Sequence, residues 1–204
     1  MNQPSLTAFH LSHGLAHKAD PALTARDDQQ FSAIAETLSE NLATASARLD
    51  GVLAAPSGVG GAAVERDLEI HRLGARLTML RRYGIDMCLG RMVTDAGDHI
   101  YIGRLGLAGP DGRQLLVDWR APAAEPFFGA TLADPMGLVS RRRYRWKSGM
   151  VSDYWDEAFT ADALEAGGAL DDQSSFIASL GSSRSPRMRD VLATIQADQD
   201  AIIR

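Results

Sequence analysis

The sequence predicts an α+β protein, and three observations carry that prediction. Apolar residues step by three and four from residue 27 to residue 82, the period changes to two after Tyr83-Gly84, and a helical pattern returns at the C-terminal end. The expected order is an N-terminal antiparallel helical hairpin of coiled-coil type, an antiparallel β-meander, and a C-terminal helix. With 204 residues, 45% hydrophobic, the chain is large enough to bury a real core and too apolar to be disordered throughout.

Residues 1–26 form a polar leader broken by Pro4 and Pro21. His10, His13 and His17 have spacings that suit one helical face, but no thiol or carboxylate stands beside them at metal-ligand spacing. Unbound polar chain is the better expectation there. From about Asp27 to Leu53, Phe31, Ala35, Leu38, Leu42, Ala45, Leu49 and Val52 repeat as an a/d seam. Asp27 and Asp28 precede the seam, where carboxylates favour a helix N-terminus. AAPSGVGG at 54–61 ends the helix, because Pro lacks a donor and Gly accepts turn conformations. Ile70, Leu73, Leu77 and Leu80 then mark a second helix from Ala62 to about Arg82, so residues 27–84 read as a hairpin.

Residues 85–165 read as a β-rich domain. Cys88–Val93, His99–Leu107 and Arg113–Trp119 are strand-like, separated by Asp-Ala-Gly-Asp at 95–98 and Gly-Pro-Asp-Gly at 109–112. Residues 120–137, with three prolines, predict an ordered irregular crossover. LVSRRRYRWKSGMV predicts a further strand or hairpin, and Asp153–Leu164 a short helix. Residues 166–186 are rich in Gly and Ser and predict a flexible linker. Residues 187–204 form a helix candidate that Ser185 and Pro186 can start, with Met188, Leu192, Ile195, Ile202 and Ile203 along one side.

Composition excludes several classes of function. One cysteine, Cys88, cannot form an internal disulfide, and no run approaches a membrane span or a signal peptide, so a soluble cytoplasmic protein is expected. The net charge of −5 argues against a general polyanion binder. Five cations nevertheless fall within 141–147, interleaved with Tyr144 and Trp146. Strand alternation sends Arg141, Arg143, Arg145 and Lys147 to one face and Arg142, Tyr144 and Trp146 to the other. A solvated strand face is expected, with at most a weak nucleic-acid contact. No P-loop, H-E-x-x-H, G-x-S-x-G or C-x-x-C motif is present. Cys88 reads as a packing thiol, and Asp118, Arg120 and Glu125 as a structural Arg–carboxylate network rather than a catalytic carboxylate pair.

YIGRLGL at 101–107 and LLVDWRAPAAEPFF at 115–128, extended by MRDVLATIQADQDAIIR at 188–204, resemble the N-terminal part of the HelD/HelR proteins. These are UvrD-like superfamily 1 ATPases that bind bacterial RNA polymerase, and the resemblance spans roughly residues 27–204. It implies that the hairpin enters the polymerase secondary channel. The short hairpin resembles the actinobacterial HelR branch, which is linked to polymerase recycling and rifamycin tolerance. Within Ile195-Gln196-Ala197-Asp198-Gln199 the resemblance assigns Gln199 to the Q-motif, where its amide reads the adenine of ATP.

The resemblance also implies ATP and Mg as cofactors of a full-length motor. Those ligands would be held by a P-loop lobe that should follow Arg204, so residues 187–204 would begin a truncated ATPase lobe. Alone, the 204 residues are not expected to hydrolyse ATP. The hairpin tip lacks an acidic cluster suited to a polymerase magnesium ion. The alternative expectation is a stand-alone secondary-channel module without a motor, and the coding sequence after Arg204 separates the two.

Overall fold

The computed structural model describes residues 7–56, 60–160 and 163. Two helices come first: α1, Pro21–Ala54, and α2, Gly61–Arg81. Six strands follow: β1 Cys88–Thr94, β2 His99–Gly103, β3 Leu107–Ala108, β4 Gln114–Asp118, β5 Leu138–Lys147 and β6 Met150–Ala158. A short helix, α3, Glu125–Gly129, lies between β4 and β5. The predicted α+β class holds.

Helix α1 begins a turn and a half earlier than the apolar pattern predicts. Asp20 caps it, its carboxylate accepting the Ala22 N–H at 2.8 Å, and Pro21 takes the first turn. The early turns escaped the pattern because their buried stripe is polar: Thr24, Asp27 and Gln30 precede Phe31, Ile34 and Leu38 on the inward face. Asp27 is therefore not a helix-start residue, and Ala35, placed in the seam by its spacing, is exposed while Ile34 is buried.

At 34 residues, α1 extends about 50 Å, whereas α2 with 21 residues reaches about 30 Å. Arg48 pairs with Glu69 at 2.6 Å. The Arg66 guanidinium donates to the Val52 and Leu53 carbonyls at 3.1 Å, satisfying acceptors that the end of α1 leaves open. These contacts set an antiparallel register. Leu73, Leu77 and Leu80 line the buried side of α2.

The sheet order is β3-β4-β2-β1-β5-β6. Most neighbours are antiparallel, but β2 and β4 run parallel, with Ile102 opposite Val117 and Gly103 opposite Asp118. A simple meander is thus corrected at one position. The expected strand over 99–107 stops at Gly103; the Arg104 N–H turns back to the Met87 carbonyl at 2.9 Å, and β3 moves to the outer edge. Both predicted turns form, with Gly97 and Gly112 at φ +84° and +79°.

The helix expected over 153–164 is instead occupied up to Ala158 by β6, which pairs with β5 through the Ser148-Gly149 turn. The buried residues of β6 are Val151, Tyr154 and Ala158, spaced three and four as in a helix. A bulge opposite Arg145 and Trp146 breaks the period of two, and the sheet is covered on both faces. Phe9 adds a parallel bridge to Val151, shielding the outer edge of β6.

One face packs Phe9, Phe31, Ile34, Leu38, Leu80, Tyr144 and Tyr154 under the root of the hairpin. The other packs Met92, Ile102, Phe127, Leu138 and Phe159 under the Pro-rich crossover. Gly90 lets the Phe127 ring approach β1, since a Cβ there would meet the ring and the Arg142 carbonyl. The linker over 166–186 and the helix over 187–204 lie outside the described residues.

Candidate functional site

A row of polar side chains crosses the sheet beneath α1. Tyr101 on β2 lies opposite Arg91 on β1, Arg91 opposite Arg142 on β5, and Arg142 opposite Asp156 on β6. Two arginines side by side repel. Asp27, wholly buried, descends from α1 between them, 2.7 Å from Arg142 and 3.6 Å from Arg91. The oxygen that faces Arg91 also accepts the Tyr101 hydroxyl at 2.7 Å.

Arg142 is the hub of this row. It donates to Asp27 and to the Leu23 carbonyl of α1, forks onto both oxygens of Asp156, and lies 4.0 Å from the centroid of the Tyr154 ring. Burial opposes its charge, but Asp156 and Asp27 outweigh that penalty and hold it firmly protonated. Burial, reinforced by Asp27, pushes the Tyr101 phenol well up. Burial and then the Arg91 charge lower His99, whose Nδ1 lies 3.4 Å from Arg91. Gln30 adds a bond to the Leu115 carbonyl at 2.7 Å. The root of α1 is therefore tied to β1, β2, β4 and β5.

Beyond Leu38 the character of the hairpin changes. Its seam continues through Ala45, Leu73 and Leu77, with Leu42, Leu49, Val52 and Ile70 half-buried, and α2 packs chiefly on α1. Toward the tip, Leu53, Val64 and Leu68 stand 49–68% exposed. Exposed apolar side chains therefore stand beside the Arg48–Glu69 and Arg66 contacts at the distal end of the anchored hairpin.

The basic run does not form the uniformly solvated face predicted from alternation. Arg141 and Arg142 are both buried, on opposite faces. Arg141 grips Glu157 at 2.5 and 3.0 Å and donates to the Phe127 carbonyl at 2.8 Å, holding the crossover in place. Of the run, Arg145 and Lys147 are exposed and Arg143 is partly exposed.

Asp118 pairs with Arg120 at 2.7 Å, and hydrogen bonds from the Arg120 side chain and backbone hold its carboxyl down to about 2. The expected network is thus reduced to the Asp118–Arg120 pair, and Glu125 is exposed. Cys88 is buried and burial raises its thiol far above the reactive range, so it packs rather than reacts. Among the described residues no group of three or more His, Cys, Asp or Glu side chains is arranged to hold a metal ion. Nor is any described helix long and apolar enough to cross a membrane. Gln199 lies outside the described residues.

The row under α1 was only partly legible in advance. Its sequence signal was the placement of Asp27 and Gln30 in phase with Phe31 and Ile34, polar letters on an apolar stripe. The family model for the N-terminal domain of DNA helicase IV HelD matches residues 24–173, nearly three quarters of the chain. No curated protein matches the chain.

Proposed function

Because the chain belongs to the family of HelD N-terminal domains, we propose that it is the RNA polymerase-binding segment of a HelD-like motor ATPase of the HelR type. The hairpin would act as the element inserted into the secondary channel of the polymerase core. In the complete cytoplasmic protein, ATP turnover would drive movements that free stalled polymerase, with a bearing on rifamycin tolerance. One observation carries this reading: a single helix runs unbroken from a buried ionic root to an apolar tip. Such a helix moves its tip whenever the sheet moves, as a probe driven from its base must.

The 204 residues contain no P-loop sequence to take the phosphates and magnesium of ATP. They do not by themselves fit the nucleotide, and no catalytic step is derived from them. Gln199 would contribute only the contact that reads the adenine edge. In a protein that carries the P-loop, Gln199→Ala should weaken ATP binding about 3- to 10-fold, the worth of one neutral hydrogen bond.

The test is capture of bacterial core polymerase by the chain with and without the distal hairpin. The cut must spare the root, because removing residues from 30 onward would take Phe31 and Ile34 out of the core. The Arg48–Glu69 contact places residue 46 near residue 71 across the hairpin. Residues 47–70 can therefore be replaced by a short Gly/Ser link. Loss of capture with the sheet still folded is expected. Equal capture would overturn the hairpin as the docking element.

A further inference from the structure

Among the described residues, the crossover-side face of β5 is exposed toward the Ser148-Gly149 turn, where Arg145 and Lys147 stand at the surface. Arg141, at the covered end, is enclosed by Glu157 and the Phe127 carbonyl. Beyond it, Arg143, Arg145 and Lys147 follow at alternate positions of β5, about 6–7 Å apart along the strand. Trp155 lies opposite Arg143 and is half-buried. The Arg145 guanidinium rests 4.8 Å from the Trp155 ring centroid.

The charge here is opposite in sign to that of the whole chain. Of the two β6 carboxylates that alternate onto this face, Asp153 is paired with Lys18 at 3.0 Å, and Glu157 serves both Arg141 and Arg143. Glu157 is thus shared by two arginines, and Arg145 and Lys147 add two exposed cations on a chain whose net charge is −5.

We infer that the open end of this face, formed by Arg143, Arg145, Lys147 and Trp155, binds single-stranded nucleic acid. The evenly spaced cations suit a phosphodiester backbone, which an extended strand can track residue by residue. The indole and the guanidinium laid against it offer flat surfaces on which an unpaired base stacks. A duplex keeps its base faces hidden and gains nothing from Trp155. This inference goes beyond the polymerase reading and does not depend on it.

The experiment uses the full chain and a fluorescent oligo-dT, followed by anisotropy, with no polymerase present. Saturable binding is expected at low salt, its affinity falling with log salt at a slope of about −2, since each of three phosphate contacts contributes roughly −0.7 on a single strand. Arg145→Glu combined with Lys147→Glu should weaken binding at least about tenfold, with thermal melting unchanged because both side chains are exposed. Trp155→Leu should weaken binding several-fold and leave the salt slope as it was, a separation that a purely ionic surface would not produce. Absence of saturable binding at low salt would overturn the inference, as would unchanged affinity in the charge-reversed protein. Equal or tighter binding of a duplex of the same length would overturn the single-strand assignment.

Discussion

Asp27 and Arg142, 115 residues apart in sequence, are joined at 2.7 Å beneath α1. The pair sits in a row that also holds Tyr101, Arg91 and Asp156, so one carboxylate from the helix balances two arginines of the sheet. It fixes where the hairpin leaves the body of the protein.

Removing that carboxylate charge should therefore be expensive. Asp27→Asn leaves Arg91 and Arg142 facing each other with only Asp156 in compensation, and the expected loss is about 2–4 kcal/mol in urea unfolding. The neighbouring Asp28 is only half-buried and bonds Thr7 and the Ala8 N–H, so Asp28→Asn should cost less than about 1 kcal/mol. Equal losses would show that the buried row does not anchor the helix.

The hairpin seam can be tested at two depths. Leu77 is fully packed, whereas Leu42 is half-buried, so Leu77→Asp should cost several kcal/mol and Leu42→Asp distinctly less. The Leu77 variant should lose helical ellipticity while the environment of Trp146, which sits against Phe31 and Tyr144, is kept. Loss of both signals together would mean that the distal hairpin and the sheet unfold as one unit.

Gly90 is required by close packing. An added methyl group would meet the Arg142 carbonyl and the Phe127 ring, one of them backbone that cannot move cheaply. Gly90→Ala should destabilise the protein by about 3 kcal/mol, at the upper end for overpacking. Adding Phe127→Leu should recover part of that loss, a coupling readable from a double-mutant cycle.

Three of the four tyrosines should resist alkali. Burial raises Tyr101 and Tyr144 well above a free phenol and pushes Tyr154 up to about 12. A raised folded-state pKa means that stability is whole below the unfolded value of about 10 and is lost as pH climbs through the folded values. Phenolate absorbance should therefore show a late rise that coincides with unfolding, and stability should begin to fall above about pH 10. Ionisation of all four at pH 10 in a folded protein would refute the buried placement.

Local periodicity was enough for much of the fold. The heptad steps marked the end of α1 and the whole of α2 almost to the residue, and the two Gly-containing turns were legible because each needs a left-handed glycine. Words such as YIGRLGL and VDWRAPAAEPFF carried the family resemblance. Three features depended on partners far away in the chain. The first turns of α1 looked polar because Asp27 and Gln30 are satisfied by side chains and backbone of the sheet.

Strand β6 imitated a helix because a bulge shifts its phase between Val151 and Tyr154, and because Asp156, between Tyr154 and Ala158 on the same face, is only half-buried. Arg141 reads as solvated because nothing local reveals Glu157 waiting to receive it, and nothing local reveals that Asp156 and Asp27 enclose Arg142. Sequence spacing reports which side a residue faces; only the tertiary structure determines what occupies that side, since a buried charge is tolerated solely where its counter-charge has been brought to it.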